Sequence, residues 1–126
     1  MTQQPVTDDV NRTVAKYLAA WNETDATRRR VALAALFTED CEYTDPLASV
    51  SGPSALDQLI AGVQRQLPGC KFSLAGQVDS HHEQARFTWQ AAPEGAAEPA
   101  VIGFDVMLLA AGRIRRVYGF LDKLPG

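Results

Sequence analysis

The chain is poor in the features that announce a metal, a disulfide framework or a polyanionic partner. Its 126 residues hold two cysteines, Cys41 and Cys70, and no CxxC pair. Neither a zinc site nor a disulfide framework is therefore expected, and reduced thiols suit a cytoplasmic setting. Its two histidines, His81 and His82, are adjacent. Neighbouring residues do not readily bind one ion together, and no third ligand stands at a suitable spacing, so no metal site is expected. Positive charge is scarce too. The formal net charge is −3, which leaves no electrostatic footprint for nucleic acid or an anionic membrane surface. No stretch approaches the roughly 18 apolar residues of a membrane span. The start Met1-Thr2-Gln3-Gln4-Pro5 lacks the basic and apolar regions of a signal peptide. The one basic run, Arg28-Arg29-Arg30, falls inside a helical pattern and reads as a solvated helix face.

What is present is enough for one core. A hydrophobic share of 46% is that of a globular protein, and a chain of this length fits one domain spanning residues 1–126. Asp8 and Asp9 are candidate caps for a first helix, in which Val10, Val14, Tyr17, Leu18 and Trp21 recur at helical spacing. Asn22-Glu23-Thr24-Asp25 interrupts that pattern. Asp25 or Thr27 then caps a second helix with the stripe Val31, Leu33, Ala34, Leu36 and Phe37. The alternation Cys41 to Asp45 predicts a short strand ended by Pro46. After the loop Ser51-Gly52-Pro53-Ser54, the residues Leu56, Leu59, Ile60, Val63 and Leu67 define a third helix, stopped by Pro68-Gly69.

The second half changes character. Phe72 to Val78, Ala85 to Ala91, Val101 to Ala110 and Ile114 to Leu121 read as four strands of a meander. The polar tip Asp79 to Gln84, the loop Ala92 to Glu98 and the tight turn Ala111-Gly112 join them. Three helices packed on a curved antiparallel sheet make an α+β domain. Apolar residues on both faces of the last strands suggest that one face covers a pocket and the other buries against a partner chain.

Alternation also sorts candidate chemistry. Val101, Gly103, Asp105, Met107 and Leu109 share one strand face, so Asp105 is a carboxyl in an apolar row. It is either an exposed or paired strand carboxylate, or a buried acid whose pKa is raised enough to keep it a hydrogen-bond donor. Cys41, Tyr43 and Asp45 share a face of the short strand. Asp45 before Pro46 is either a turn residue or a general base at a pocket rim. Tyr17 sits on the apolar side of the first helix, where a core tyrosine satisfies its hydroxyl at an edge.

The segments Lys16 to Asn22, Ala35 to Pro46 and Ser51 to Leu56 resemble the N-terminal half of the ketosteroid isomerase and polyketide cyclase-like (SnoaL-like) branch of the nuclear-transport-factor-2-like (NTF2-like) superfamily. Gly103-Phe104-Asp105, Gly112-Arg113-Ile114 and Tyr118 to Asp122 are similar to that branch's last two strands. The resemblance covers nearly the whole chain and implies a cone of curved sheet and three N-terminal helices around an apolar pocket. It also implies roles. Tyr17 falls where the isomerases carry an oxyanion-hole tyrosine, Asp105 where they carry a protonated strand acid, and Asp45 where an aspartate before proline moves the proton. A carboxyl kept neutral beside a base carboxylate is the pattern of that enzyme.

No cofactor is implied, and the implied ligand is a small apolar molecule. Relatives of the superfamily work as dehydratases with Asp, Tyr and His, or as epoxide hydrolases with Asp-Arg-Asp, and a non-catalytic binding or dimerising module is the further alternative. Helical face and strand phase place Trp21, Tyr43, Phe87, Trp89, Met107, Tyr118 and Phe120 in the pocket lining. His81 and His82 are either exposed turn histidines, or one of them, with His82 assigned to the pocket lining, turns inward as an acid/base group. Arg116 shares the face of Ile114, Tyr118 and Phe120, and pointing inward it would hold Asp105 ionised. The sheet face bearing Arg86, Thr88 and Gln90 is the expected dimer interface.

Overall fold

A computed structural model describes residues 3–125, with side chains from residue 9 onward. Three helices come first: α1 (Gln3–Asn22), α2 (Ala26–Leu36) and, after β1 (Phe37–Asp45) and β2 (Ala48–Ser51), α3 (Pro53–Gln66). Four strands follow: β3 (Cys70–His81), β4 (Gln84–Pro93), β5 (Val101–Ala110) and β6 (Arg113–Lys123). They form one six-stranded sheet in the order β2-β1-β6-β5-β4-β3. All pairs are antiparallel except β1 with β6, which run parallel.

Local chemistry explains most boundaries. α1 begins earlier than its charge pattern suggests, so Asp9 lies within the helix and not at its cap, and the Asp8 side chain falls outside the described residues. Asp25 caps α2 as expected, its carboxylate accepting from the Arg28 N–H at 2.9 Å. The apolar stripe of α2 is shifted. Leu33 and Leu36 are buried and Val31 is exposed, while Arg29 occupies the inward position one turn before Leu33. β1 is longer than expected because the chain passes directly from α2 into extended structure at Phe37. Its partner β2, across a two-residue turn at Pro46-Leu47, is a strand that four residues of weak alternation did not reveal.

The concave side of the sheet and the helices enclose the core. Val10, Val14, Tyr17 and Trp21 from α1 meet Leu56 and Ile60 from α3 and the inward row Ala85, Phe87, Trp89 and Ala91 of β4. Asn22 fixes the end of α1 to the edge strand β3. Its side chain donates to the Phe72 carbonyl at 2.8 Å and accepts from the Phe72 N–H at 2.7 Å. No helix among the described residues is long and apolar enough to cross a membrane.

β6 departs from simple alternation at two places. Leu108 pairs with Arg116 but Leu109 pairs with Ile114, so Arg115 is an extra residue in the ladder. A second extra residue, Asp122, separates the pairs Gly103–Leu121 and Ile102–Lys123. Each bulge shifts the two-residue period by one. Ile114, Val117 and Gly119 consequently point inward and are buried, whereas Tyr118 and Phe120 point outward, 41% and 56% exposed.

Candidate functional site

A cavity of about 290 Å³ opens between α1, the end of α3, the β1–β2 hairpin, β5 and the C-terminal residues after β6. Its walls are aromatic and aliphatic: Tyr17, Trp21, Tyr43, Phe72 and Trp89, with Leu18, Val63, Leu67, Val101 and Leu121. Trp21 is the hub, its ring centroid 5.7 Å from that of Tyr43 and 5.5 Å from that of Phe72. Trp89 lies flat over Gly103, where a β-carbon would fall within 2.1–2.8 Å of the indole, so a side chain at Gly103 would evict the ring.

Two carboxyl groups reach this cavity from opposite sides of Gly119. A β-carbon built on Gly119 would meet the Asp105 Oδ1 at 3.0 Å and the Asp45 Cβ at 3.2 Å. Asp105 is only 2% exposed, and its Oδ2 accepts the Tyr17 hydroxyl at 2.9 Å. Among the described residues, no cationic side chain forms an ion pair with it. Burial pushes its pKa up to about 6, against the opposing pull of the Tyr17 and Trp89 side chains and with a smaller upward push from the Asp45 charge. Tyr17 is raised well above the ordinary phenol range, first by burial and then by Asp105, so its hydroxyl keeps its proton and donates.

Asp45 is held differently. Its Oδ1 accepts the backbone N–H groups of Leu47 and Ala48 at 2.8 and 2.9 Å, closing the turn into β2. Its Oδ2 accepts the Tyr43 hydroxyl at 2.7 Å. The residue is half-buried at the cavity wall, whereas Asp105 lies in the interior.

The structure thus brings Tyr17, Asp45, Asp105, Trp21, Tyr43 and Trp89 to one cavity. It does not bring the others. Phe87 and Met107 face inward but are packed in the core behind the wall, and they do not line the opening. Tyr118 and Phe120 lie on the outer face because of the Arg115 bulge. Arg116 is on that face too, paired with Glu42 of β1, so it does not hold Asp105 ionised. His82 sits at the tip of the β3–β4 turn with φ of 55°, exposed and bonded to His81, far from the cavity wall. Leu47, Leu121, Leu124 and Pro125 line the cavity without any sequence signal, since their positions depend on the hairpin turn and the second bulge. Among the described residues, no three His, Cys, Asp or Glu side chains cluster as metal ligands would.

A curved sheet wrapped by three N-terminal helices around an apolar, carboxyl-bearing cavity defines an NTF2-like pocket protein. The chain belongs to the SnoaL-like domain family, whose model matches residues 14–117. A crystal structure from Agrobacterium tumefaciens, provisionally described as an isomerase of the SnoaL-like family, is 35% identical, with a TM-score of 0.86 over 91% of this chain and 98% of that one. A Kribbella flavida protein, provisionally a ketosteroid isomerase, is 18% identical (TM-score 0.70; 95% of this chain, 82% of that one). A Jannaschia protein, provisionally a SnoaL-like polyketide cyclase, is 15% identical (TM-score 0.76; 97% and 91%). The last two show a shared fold alone. No curated protein matches the chain.

Proposed function

We propose that this protein moves a proton beside the carbonyl group of a small, uncharged, mainly apolar molecule, in the manner of an isomerase or cyclase. The observation that carries the reading is the pair of carboxyl groups in contrasting settings on one apolar cavity: Asp105 buried, unpaired by any cation and bonded to Tyr17, and Asp45 at the wall. In the step proposed, the Asp45 carboxylate takes the α-proton and the C–H bonding pair passes to the carbonyl oxygen as an enolate. Tyr17 and protonated Asp105 donate to that oxygen, and Asp45 then returns the proton to carbon. In the unliganded arrangement the Tyr17 hydroxyl rests on Asp105. A ligand oxygen entering between them competes for both protons, and the water it displaces further favours the neutral carboxyl.

The test is deuterium exchange at the α-carbon of neutral cyclic ketones and β,γ-unsaturated enones in heavy water. The wild-type protein is expected to catalyse it. Asp45→Asn should lose about 10²–10⁴-fold, while Asp105→Asn, whose amide still donates, should stay within about tenfold of wild type, less than the loss of a whole oxyanion donor. Equal exchange by wild type and Asp45→Asn would exclude the proton-transfer reading.

We also propose that two copies associate through the outer face of the sheet. The support is an apolar patch on β5 and β6, where Phe104 pairs with Phe120 and Val106 with Tyr118, flanked on β4 by Thr88 and Arg86. Tyr118 and Phe120 are large and exposed there.

A further inference from the structure

We infer that Tyr43 is the positioning residue of Asp45, an inference that rests on the proton-transfer reading and deepens it. Alternation along β1 puts residues 43 and 45 on one face, and both side chains reach the cavity. Leu47 and Ala48 occupy Oδ1 of Asp45 with two backbone N–H groups. Only Oδ2 remains to take a proton, and the Tyr43 hydroxyl donates to that same oxygen at 2.7 Å. The phenol is a fixed donor. Its ring is buried against Trp21, and burial, then the charges of Asp105 and Asp45, raise its pKa well above the ordinary range, so it cannot itself act as the base.

The carboxylate is therefore clamped at both oxygens, with the remaining lone pair of Oδ2 as its reactive direction. Three donors fix the plane of the group before any ligand arrives, which is the preorganisation a proton transfer at carbon demands. When Asp45 takes the proton, Tyr43 must keep donating to a now neutral acid, and the bond weakens. Tyr43 thus sets the aim of the base, while Tyr17 and Asp105 serve the opposite end of the substrate.

Tyr43→Phe keeps the ring and removes only the hydroxyl. In α-exchange of β-tetralone and cyclohexenone it should lower kcat about 10–100-fold with KM changed less than about threefold, the signature of a misaimed group rather than a damaged pocket. A readout independent of turnover is the carboxyl carbon resonance of Asp45, which should move in Tyr43→Phe and move the opposite way when residue 43 is replaced by the more acidic 3-fluorotyrosine. The fluorotyrosine protein also serves if Tyr43→Phe fails to fold. Wild-type kcat in Tyr43→Phe, where Asp45→Asn has lost exchange, would overturn the role of Tyr43 and leave the proton-transfer reading standing. Exchange that survives Asp45→Asn would overturn that reading, and this inference with it. If neither probe exchanges, the resonance decides: an Asp45 signal indifferent to both replacements overturns the positioning role, and opposite movements support it.

Discussion

At the scale of single residues, the decisive group is Asp105. Its place in an apolar row was legible because β5 alternates without interruption around it, while the choice between an exposed or paired carboxylate and a buried acid stayed open until the structure showed it 2% exposed. One carboxyl among Val101, Gly103 and Met107 had two admissible states, neutral or paired, since an unpaired buried charge is too costly. Among the described residues no cation pairs with it, and burial raises its pKa to about 6, which favours the neutral state. That pKa has a consequence for stability. In the unfolded chain the carboxyl titrates near 3.8, while in the fold it holds its proton up to about 6. Between those values the folded state binds more protons, so stability falls as pH rises through the window and is flat above it. The group's contribution is fully present below pH 3.8 and lost above 6, a span of about 3 kcal/mol at 1.36 kcal/mol per pKa unit. Asp105→Asn is expected to fold, to flatten this part of the pH–stability curve and to be at least as stable as wild type at pH 8. Carbon NMR should place the Asp105 titration near 6, and an ordinary carboxylate titration with an unchanged curve would contradict the burial argument. If protonated Asp105 serves the reaction, exchange should also decline as pH rises through that same titration.

At the scale of elements, what was hidden in the sequence were departures from period. The Arg115 bulge reverses the phase of β6, so a simple count put Tyr118, Phe120 and Arg116 inside, although Val117 and Gly119 take that face. A bulge is set by the ladder of two strands, and one strand's sequence does not contain it. The same holds for Arg28-Arg29-Arg30. Two of the three are exposed as expected, but Arg29 is 3% exposed. Its Nε meets Asp57 of α3 at 2.6 Å and another of its nitrogens donates to the Glu23 carbonyl at 2.8 Å. Gln64 donates to that carbonyl and to the Trp21 carbonyl, both at 2.9 Å. This cluster ties the end of α1, the start of α2 and the middle of α3 together, directly behind the Trp21 wall of the cavity. Breaking a buried pair strands a charge, so Asp57→Asn should cost about 3–5 kcal/mol in denaturant melts. Replacing both partners with apolar residues, Arg29→Met with Asp57→Leu, should cost much less because no charge is left unpaired. A double variant as unstable as Asp57→Asn would show that the bonds to the Glu23 carbonyl, and not the ion pair, hold the helices.

At the scale of the whole molecule, the two faces of the curved sheet differ: its concave side carries the carboxyl cavity, and its convex side carries exposed apolar side chains. Helix periodicity and the four-strand meander made this architecture legible, and alternation sorted β5 correctly, but in β6 it put the wrong residues on the inner side because of the bulges. With the bulges placed, the sheet face bearing Arg86, Thr88 and Gln90 also carries Phe104, Val106, Tyr118 and Phe120. Charges of both signs border it. Arg86 pairs with Asp79 at 3.0 Å, and Arg116 pairs with Glu42. A two-fold axis through such a patch would set the apolar surface of one copy against the same surface of the other, as an isologous interface requires. The expected outcome is a dimer in sedimentation equilibrium at micromolar concentration. Phe120→Glu places a carboxylate in the patch and should give a monomer, because burying it unpaired on association is costly. Since Phe120 is already exposed in the isolated chain, that variant should keep its helical and strand content by circular dichroism. A wild-type protein that sediments as a monomer would leave the patch without its proposed partner, and a Phe120→Glu protein that stays dimeric would move the interface elsewhere.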